Sequence, residues 1–223
     1  MLAALDLLYE QVEISQTDAA VITTDLTTYT FSGMELGAAH SNRKILVFIA
    51  GKASSSQTIN TVTIGGISAS LVTDGTNQAT TGPAFTPSVF YIATVTTGTN
   101  GDVVVTFSST ILAAAITVYR SINTRTQAYH VQIDTSTTTE ANTTINKSGF
   151  GAVVGGFRMD SNDSNPRTAT WVGLTEDVDN TIETDRSYSS AYITNTHGGS
   201  LEVIATASGA VDSVGLITVS LQP

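Results

Sequence analysis

Seven carboxylates, Asp160, Asp163, Glu176, Asp177, Asp179, Glu183 and Asp185, fall within twenty-six residues of a 223-residue chain. They are its densest group of side chains able to hold a cation or to serve as a general acid and base. The segment "MDSNDSNP" (159–166) is rich in oxygen ligands, as Ca²⁺ loops are. Asp and Asn also suit turns, because they bond to their own backbone. The spacing fits neither an EF-hand nor a glycine-rich nonapeptide, so a solvated loop is the first reading and a structural cation the alternative. A glycosidase built on paired carboxylates needs a groove with aromatic platforms. Aromatic residues make up 7% of the chain, and the single Trp, Trp171 in "TATWVGLTED", reads as part of a strand core.

The remaining candidates are isolated. His40, His130 and His197 each stand in polar, turn-rich sequence with no further ligand at metal spacing. "HGGS" (197–200) superficially matches an esterase oxyanion loop, but no G-x-S-x-G accompanies it and it reads as a turn. Neither G-x-x-x-x-G-K-[ST] nor G-x-G-x-x-G occurs, so no loop is predicted to cradle phosphate. The chain has no Cys, which removes disulfides and thiolate metal sites. The residues themselves assign no catalytic group, no metal and no cofactor.

The elements that would position such side chains are strands. About one residue in six is Thr, 18 are Gly, and Glu and Lys are scarce. β-branched residues fit a pleated, half-buried surface. Only 13% of residues are charged and the net charge is −10. That balance disfavours direct nucleic-acid binding, which needs basic residues to displace counterions. The opening "MLAALDLLYEQVE" carries Asp6, Glu10 and Glu13 and has no basic start, so it does not read as a secretory signal. No apolar run approaches the roughly 18 residues of a membrane span. The expectation is a protein made in the cytoplasm, without membrane or nucleic-acid partners.

The strand pattern is written twice. "TTYTFSG" (27–33) is echoed by "TTINKSG" (143–149), and "ILVFIAG" (45–51) by "FGAVVGGF" (150–157). Tyr91-Ile92 is echoed by Tyr192-Ile193, and Ile116-Thr117-Val118 by Ile217-Thr218-Val219, both 101 positions on. Val103-x-Val105-x-Phe107 matches Leu201-x-Val203-x-Ala205. Preserved order and a shared offset indicate duplication. The predicted fold is all-β: an antiparallel sandwich, jelly-roll or Ig-like, built from two tandem repeats of about seven and six strands. The boundaries read as an arm over 1–25, repeat one over 26–120, a linker over 121–139 and repeat two over 140–223. "ILVFIAG" and "AAAITVYR" are apolar on consecutive residues and are expected to be central strands covered on both faces. Ala113, Ala114 and Ala115, with Gly151, Gly155 and Gly156, would let a facing layer approach closely; a thin core filled by small residues is the plainer account. Gly65-Gly66 and Asn100-Gly101 read as hairpin turns, and 74–88 and 158–168 as long polar loops.

Leu2, Leu5, Leu8 and Val12 recur at helical spacing, predicting one to three turns of helix and then an extended linker through Ser15–Asp25. So short a helix needs something to pack against. The face formed by Leu2, Leu5, Leu8 and Val12 is therefore either packed on its own sandwich or a docking surface for a partner.

"LTTYTFSGMELG…SNRKILVFIAG", "INTVTIGGISASLV", "GDVVVTFSS…ITVYR" and "TATWVGLTEDVD…YSSAYI" resemble a family of β-sandwich virion proteins of tailed bacteriophages and prophage-like elements, mainly of Proteobacteria. The resemblance spans about residues 26–222 and leaves the arm outside. It implies a non-enzymatic structural or adhesive protein on the virion surface, partnered by other virion proteins, the major capsid protein first, or tail proteins, and assembled as a homo-oligomer. It carries over no catalytic residue. A capsid decoration or cement protein is the first expectation. A tail-fibre or tail-tip adhesin recognising a host glycan or protein is the second, and an enzyme the last.

Overall fold

The β-branched composition is realised as strands throughout. The structure, a computed structural model, describes residues 11–81, 88–161 and 163–223. The first repeat contains β1 (Glu13–Ile22), β2 (Leu26–Glu35), β3 (Arg43–Lys52), β4 (Ile59–Ile64), β5 (Ile67–Ser68), β6 (Ser70–Leu71), β7 (Thr80–Thr81), β8 (Ser88–Thr94), β9 (Asn100–Ile111) and β10 (Ala113–Ile122). The second contains β11 (His130–Ser136), β12 (Glu140–Lys147), β13 (Gly151–Asp160), β14 (Ala169–Val172), β15 (Thr175–Glu183), β16 (Arg186–Thr196), β17 (Gly199–Ala207) and β18 (Ser213–Leu221).

The two repeats share one topology. In the first, a sheet ordered β1-β10-β3-β8, with β6 and β7 both on β8, packs against a sheet ordered β2-β9-β4-β5. In the second, β11-β18-β13-β16-β15 packs against β12-β17-β14. Every pairing is antiparallel. The larger sheets then pack on each other through a third core, in which Leu46, Phe48, Phe90 and Tyr119 meet Val131, Val154, Tyr188 and Ile217. The molecule is thus four sheets deep, with the two larger sheets buried on both faces. This is why β3, β10, β13 and β18 are buried on consecutive residues rather than alternate ones.

Contacts across the seam are reciprocal. β3 lies over β16 and β13 over β8; β1 lies over β15 and β11 over β7. The two sandwiches are therefore related by an approximate two-fold axis, as in an isologous dimer.

Several sequence expectations change. Residues 13–22 are not a linker but β1, an edge strand paired along β10. Likewise 130–136, within the expected linker 121–139, is β11, the equivalent edge of the second sandwich. Leu2, Leu5 and Leu8, and the helix expected there, lie outside the described residues. Val12 does not face outward: it is 1% exposed in the core between the sandwiches, and its N–H donates to the Phe150 carbonyl at 2.9 Å. Gly65-Gly66 does form a tight hairpin, with φ of 56° and 79° as such turns require. Asn100-Gly101 does not turn: the chain reverses at Gly98, whose φ is 71°, and Asn100 and Gly101 already pair with β2. Residues 158–160 belong to β13 rather than to a loop.

The duplication is real in topology, but the matched residues are not the equivalent ones. Ile116-Thr117-Val118 and Ile217-Thr218-Val219 lie in equivalent strands, β10 and β18. Yet Ile116 and Val118 face the smaller sheet of their own sandwich, whereas Ile217 and Val219 face the seam. Tyr91 and Tyr192 differ in the same way. The equivalent of Ile116 is Leu216, one residue earlier: Ile116 pairs with Ile49 and Leu216 with Phe157, all facing the cores within each sandwich. In that register Arg43–Lys52 coincides with Gly151–Asp160 end to end, and Phe48 falls on Gly156. The opening match is displaced too. Tyr29 and Phe31 stand opposite Val105 and Val103, and the corresponding places opposite Val203 and Leu201 hold Thr143 and Ile145.

Candidate functional site

The acidic stretch is dispersed rather than gathered. Strand alternation and the bend from β13 to β15 send its carboxylates to separate places. Asp160 is buried and accepts hydrogen bonds from Arg158 at 2.5 Å, Arg186 at 3.2 Å and Ser213 at 2.8 Å. Asp163, on the surface, pairs with Arg167 at 2.5 Å, and hydrogen bonds from Arg167 and Asn165 lower its pKa to about 2. Glu183 and Asp185 both hold the Lys52 ammonium, the latter at 2.7 Å, linking the two sandwiches. Burial opposes the charge on Lys52, but these carboxylates outweigh it and raise its pKa. Among the described residues no three His, Asp or Glu side chains gather as a metal site requires.

The most unusual member is Asp177. It sits at a bulge in β15, between Glu176 and Val178, where the pairing to β16 shifts. A bulge re-aims a side chain, and here it turns a carboxylate into the seam. Tyr119 of the other sandwich donates to it at 2.9 and 3.1 Å, and Ser190 donates at 2.7 Å. Ser190 also reaches Thr117 at 3.3 Å, and Tyr188 donates to the Ile116 carbonyl at 3.2 Å. Burial, with Glu176 adding, pushes the Asp177 pKa to about 6 despite the donors from Ser190 and Tyr119. Burial also raises Tyr119 well above the usual phenol range. This carboxylate, two phenols and two hydroxyls hold the seam together. They make hydrogen bonds to one another and to the Ile116 carbonyl.

The histidines are likewise engaged or peripheral. His130 Nδ1 accepts the Asn146 N–H at 2.9 Å, tying β11 to β12, and His40 Nδ1 accepts the Asn42 N–H at 3.1 Å in a loop. His197 is exposed at the turn between β16 and β17, as "HGGS" predicts. Trp171 is a half-buried strand residue, packed edge-on to Phe157 at 6.0 Å and donating to Ser189 at 2.8 Å.

Sequence reasoning missed Arg43. Its side chain is fully buried without a carboxylate, and its guanidinium donates to the carbonyls of Val95, Gly37, Thr97 and Gly98 at 2.6–2.8 Å, with Leu36 at 3.3 Å. It clamps the β2–β3 and β8–β9 connections together. Burial, and secondarily Arg120, lowers its pKa. A charge adjoining "ILVFIAG" was the available signal, since an Arg at the mouth of a buried strand must find acceptors.

No protein-family model and no curated protein matches this chain. Among solved structures, the crystal structure of the plant receptor-like kinase FER aligns over 97% of this chain and 90% of its own at 8% identity, with a TM-score of 0.24. The class defined by the fold is an all-β protein of two antiparallel sandwiches fused through a common inner core.

Proposed function

We propose that the chain is a non-enzymatic structural protein on the surface of a tailed-bacteriophage particle, a capsid decoration or cement protein. The observation that carries this reading is how its reactive side chains are used. Asp160, Asp177, Glu183, Asp185 and His130 each join strands or layers, which suits a rigid body that transmits load rather than one that turns over substrate. The sequence resemblance to phage virion sandwiches supports the location. Attachment is assigned to the segment preceding Gln11, where Leu2, Leu5 and Leu8 recur at helical spacing in the sequence; its partner is the major capsid protein, and copies associate on the shell.

A tail-fibre or tail-tip adhesin is the second reading, favoured by a polar cleft lined by Ser41, Asn42, Lys44, Thr94, Asn123 and Arg125. Counting copies per particle by quantitative mass spectrometry separates the two. Hundreds of copies support the shell; a few dozen or fewer support the tail; absence from particles removes both.

A further inference from the structure

The nine Lys and Arg residues of this acidic chain are almost all spoken for. Lys52, Arg120, Arg158, Arg167 and Arg186 form ion pairs, and Arg43 is buried among carbonyls. Of the three that remain, Lys44 and Arg125 line one cleft of about 340 Å³. That volume is in the range of small-molecule sites, which favour boundaries between packed units.

The cleft is formed where the chain leaves the first sandwich. Lys44 lies in β3 between Thr94 of β8 and Ser121 of β10. Its ammonium donates to the Thr124 carbonyl, which fixes it and leaves further N–H donors. Arg125 is held by its backbone N–H on the Gln222 carbonyl at 3.0 Å, while its exposed guanidinium has no ion pair with a described carboxylate. Asn123, in the left-handed region at φ 58°, accepts from Asn42 at 3.1 Å, placing two amides on the wall beside Ser41. A non-glycine residue held at positive φ marks a place where surrounding structure imposes the backbone.

We propose that this cleft binds a small ligand bearing one carboxylate and several hydroxyls, of the class of a uronic acid. The two cations provide for the carboxylate, Arg125 in the two-pronged geometry that guanidinium offers. Ser41, Asn42, Thr94 and Asn123 provide donors and acceptors for hydroxyls. No aromatic residue lines the cleft, so a neutral sugar would lack a stacking platform. The net charge of −10 disfavours multiply charged anions at the same place. The assignment does not depend on the particle reading.

The test is titration of the full chain with D-glucuronate, D-glucose and sulfate at low ionic strength, followed by amide chemical shifts. Glucuronate is expected to shift residues 41–44 and 123–125 with millimolar affinity, and glucose and sulfate to do so at least tenfold more weakly. Arg125→Glu, at an exposed position, should keep the wild-type melting temperature and weaken glucuronate at least tenfold; Lys44→Met should weaken it similarly. Equal binding of glucose or of sulfate, undiminished binding by Arg125→Glu, or no glucuronate shifts at these residues would overturn the proposal.

Discussion

Phe48 and Gly156 occupy equivalent places in the two sandwiches and touch across the seam: a β-carbon on Gly156 would stand 2.3 Å from the Phe48 ring. Each lies where the approximate two-fold axis brings a position opposite its own counterpart. Two Phe residues there would collide, and two Gly residues would leave a void. The pair fits because one side is a large ring and the other has no side chain. Gly156→Ala is expected to destabilise by about 1–3 kcal/mol through overpacking. Phe48→Ala should cost about 3–5 kcal/mol through the cavity it leaves. Urea unfolding of both, with the exchange variant Phe48→Gly/Gly156→Phe, checks this. The exchange should be more stable than Gly156→Phe alone, and equal losses would deny the complementarity.

The all-β sandwich class and the two-fold repetition were legible in the sequence, while the residue correspondence was not, for a physical reason. Strands buried on both faces lose their two-residue alternation, so a one-residue slip between β10 and β18 changes sequence similarity little while reversing every face. β1 and β11, at positions whose sequence reads as linker, are the equivalent edges of the inner sheets. Most of their residues are half-buried, and β1 also carries a register shift between Gln16 and Asp18. The close approach expected from Gly155 and Gly156 was correct, with Gly155 against Trp171 and Gly156 against Phe48. The carboxylates of 160–185 looked like one site because proximity in sequence does not survive alternation along strands. Asp177 was placed by a bulge that no local pattern signals.

The buried Asp177 gives the seam a pH dependence whose sign is fixed. Its folded pKa of about 6 lies above the ordinary value of about 3.9. Between these values the native state holds more protons than the unfolded state, so this group's contribution to stability falls as pH rises. The penalty is absent below about pH 4, develops between pH 4 and 6, and is complete above pH 6, at about 2–3 kcal/mol. Asp177→Asn should remove it. The difference in unfolding free energy between variant and wild type should therefore grow in favour of the variant from pH 4 to pH 7. A difference that stays constant over this range would contradict the assignment.

Arg43 is expected to be intolerant of replacement, because no other side chain reaches its carbonyl acceptors at once. Arg43→Lys should lower stability by at least about 3 kcal/mol, since buried carbonyls left unpaired cost roughly 1–3 kcal/mol each. Arg120→Lys, on a more exposed neighbour, should stay within about 1 kcal/mol of wild type. Chemical denaturation of the two variants side by side is the check.

The position of β1 divides two truncations that would otherwise be alike. Removing residues 1–20 deletes most of β1 and its pairing with β10, together with Val12 and Ile14 of the inner core. That variant should lose cooperative unfolding or fail to fold. Removing residues 1–10 spares every strand of the described residues and should leave the melting temperature within a few degrees of wild type. Circular dichroism melts of both proteins distinguish these outcomes.

The proposal that the segment before Gln11 anchors a rigid double sandwich to a phage particle is tested most directly by sedimentation. Purified full-length protein and the 1–10 deletion are each added to particles lacking the protein, and the particles are pelleted. The account predicts that full-length protein pellets with the particles, while the folded deletion variant stays in the supernatant. Co-sedimentation of the deletion variant as complete as that of the full-length chain would contradict it.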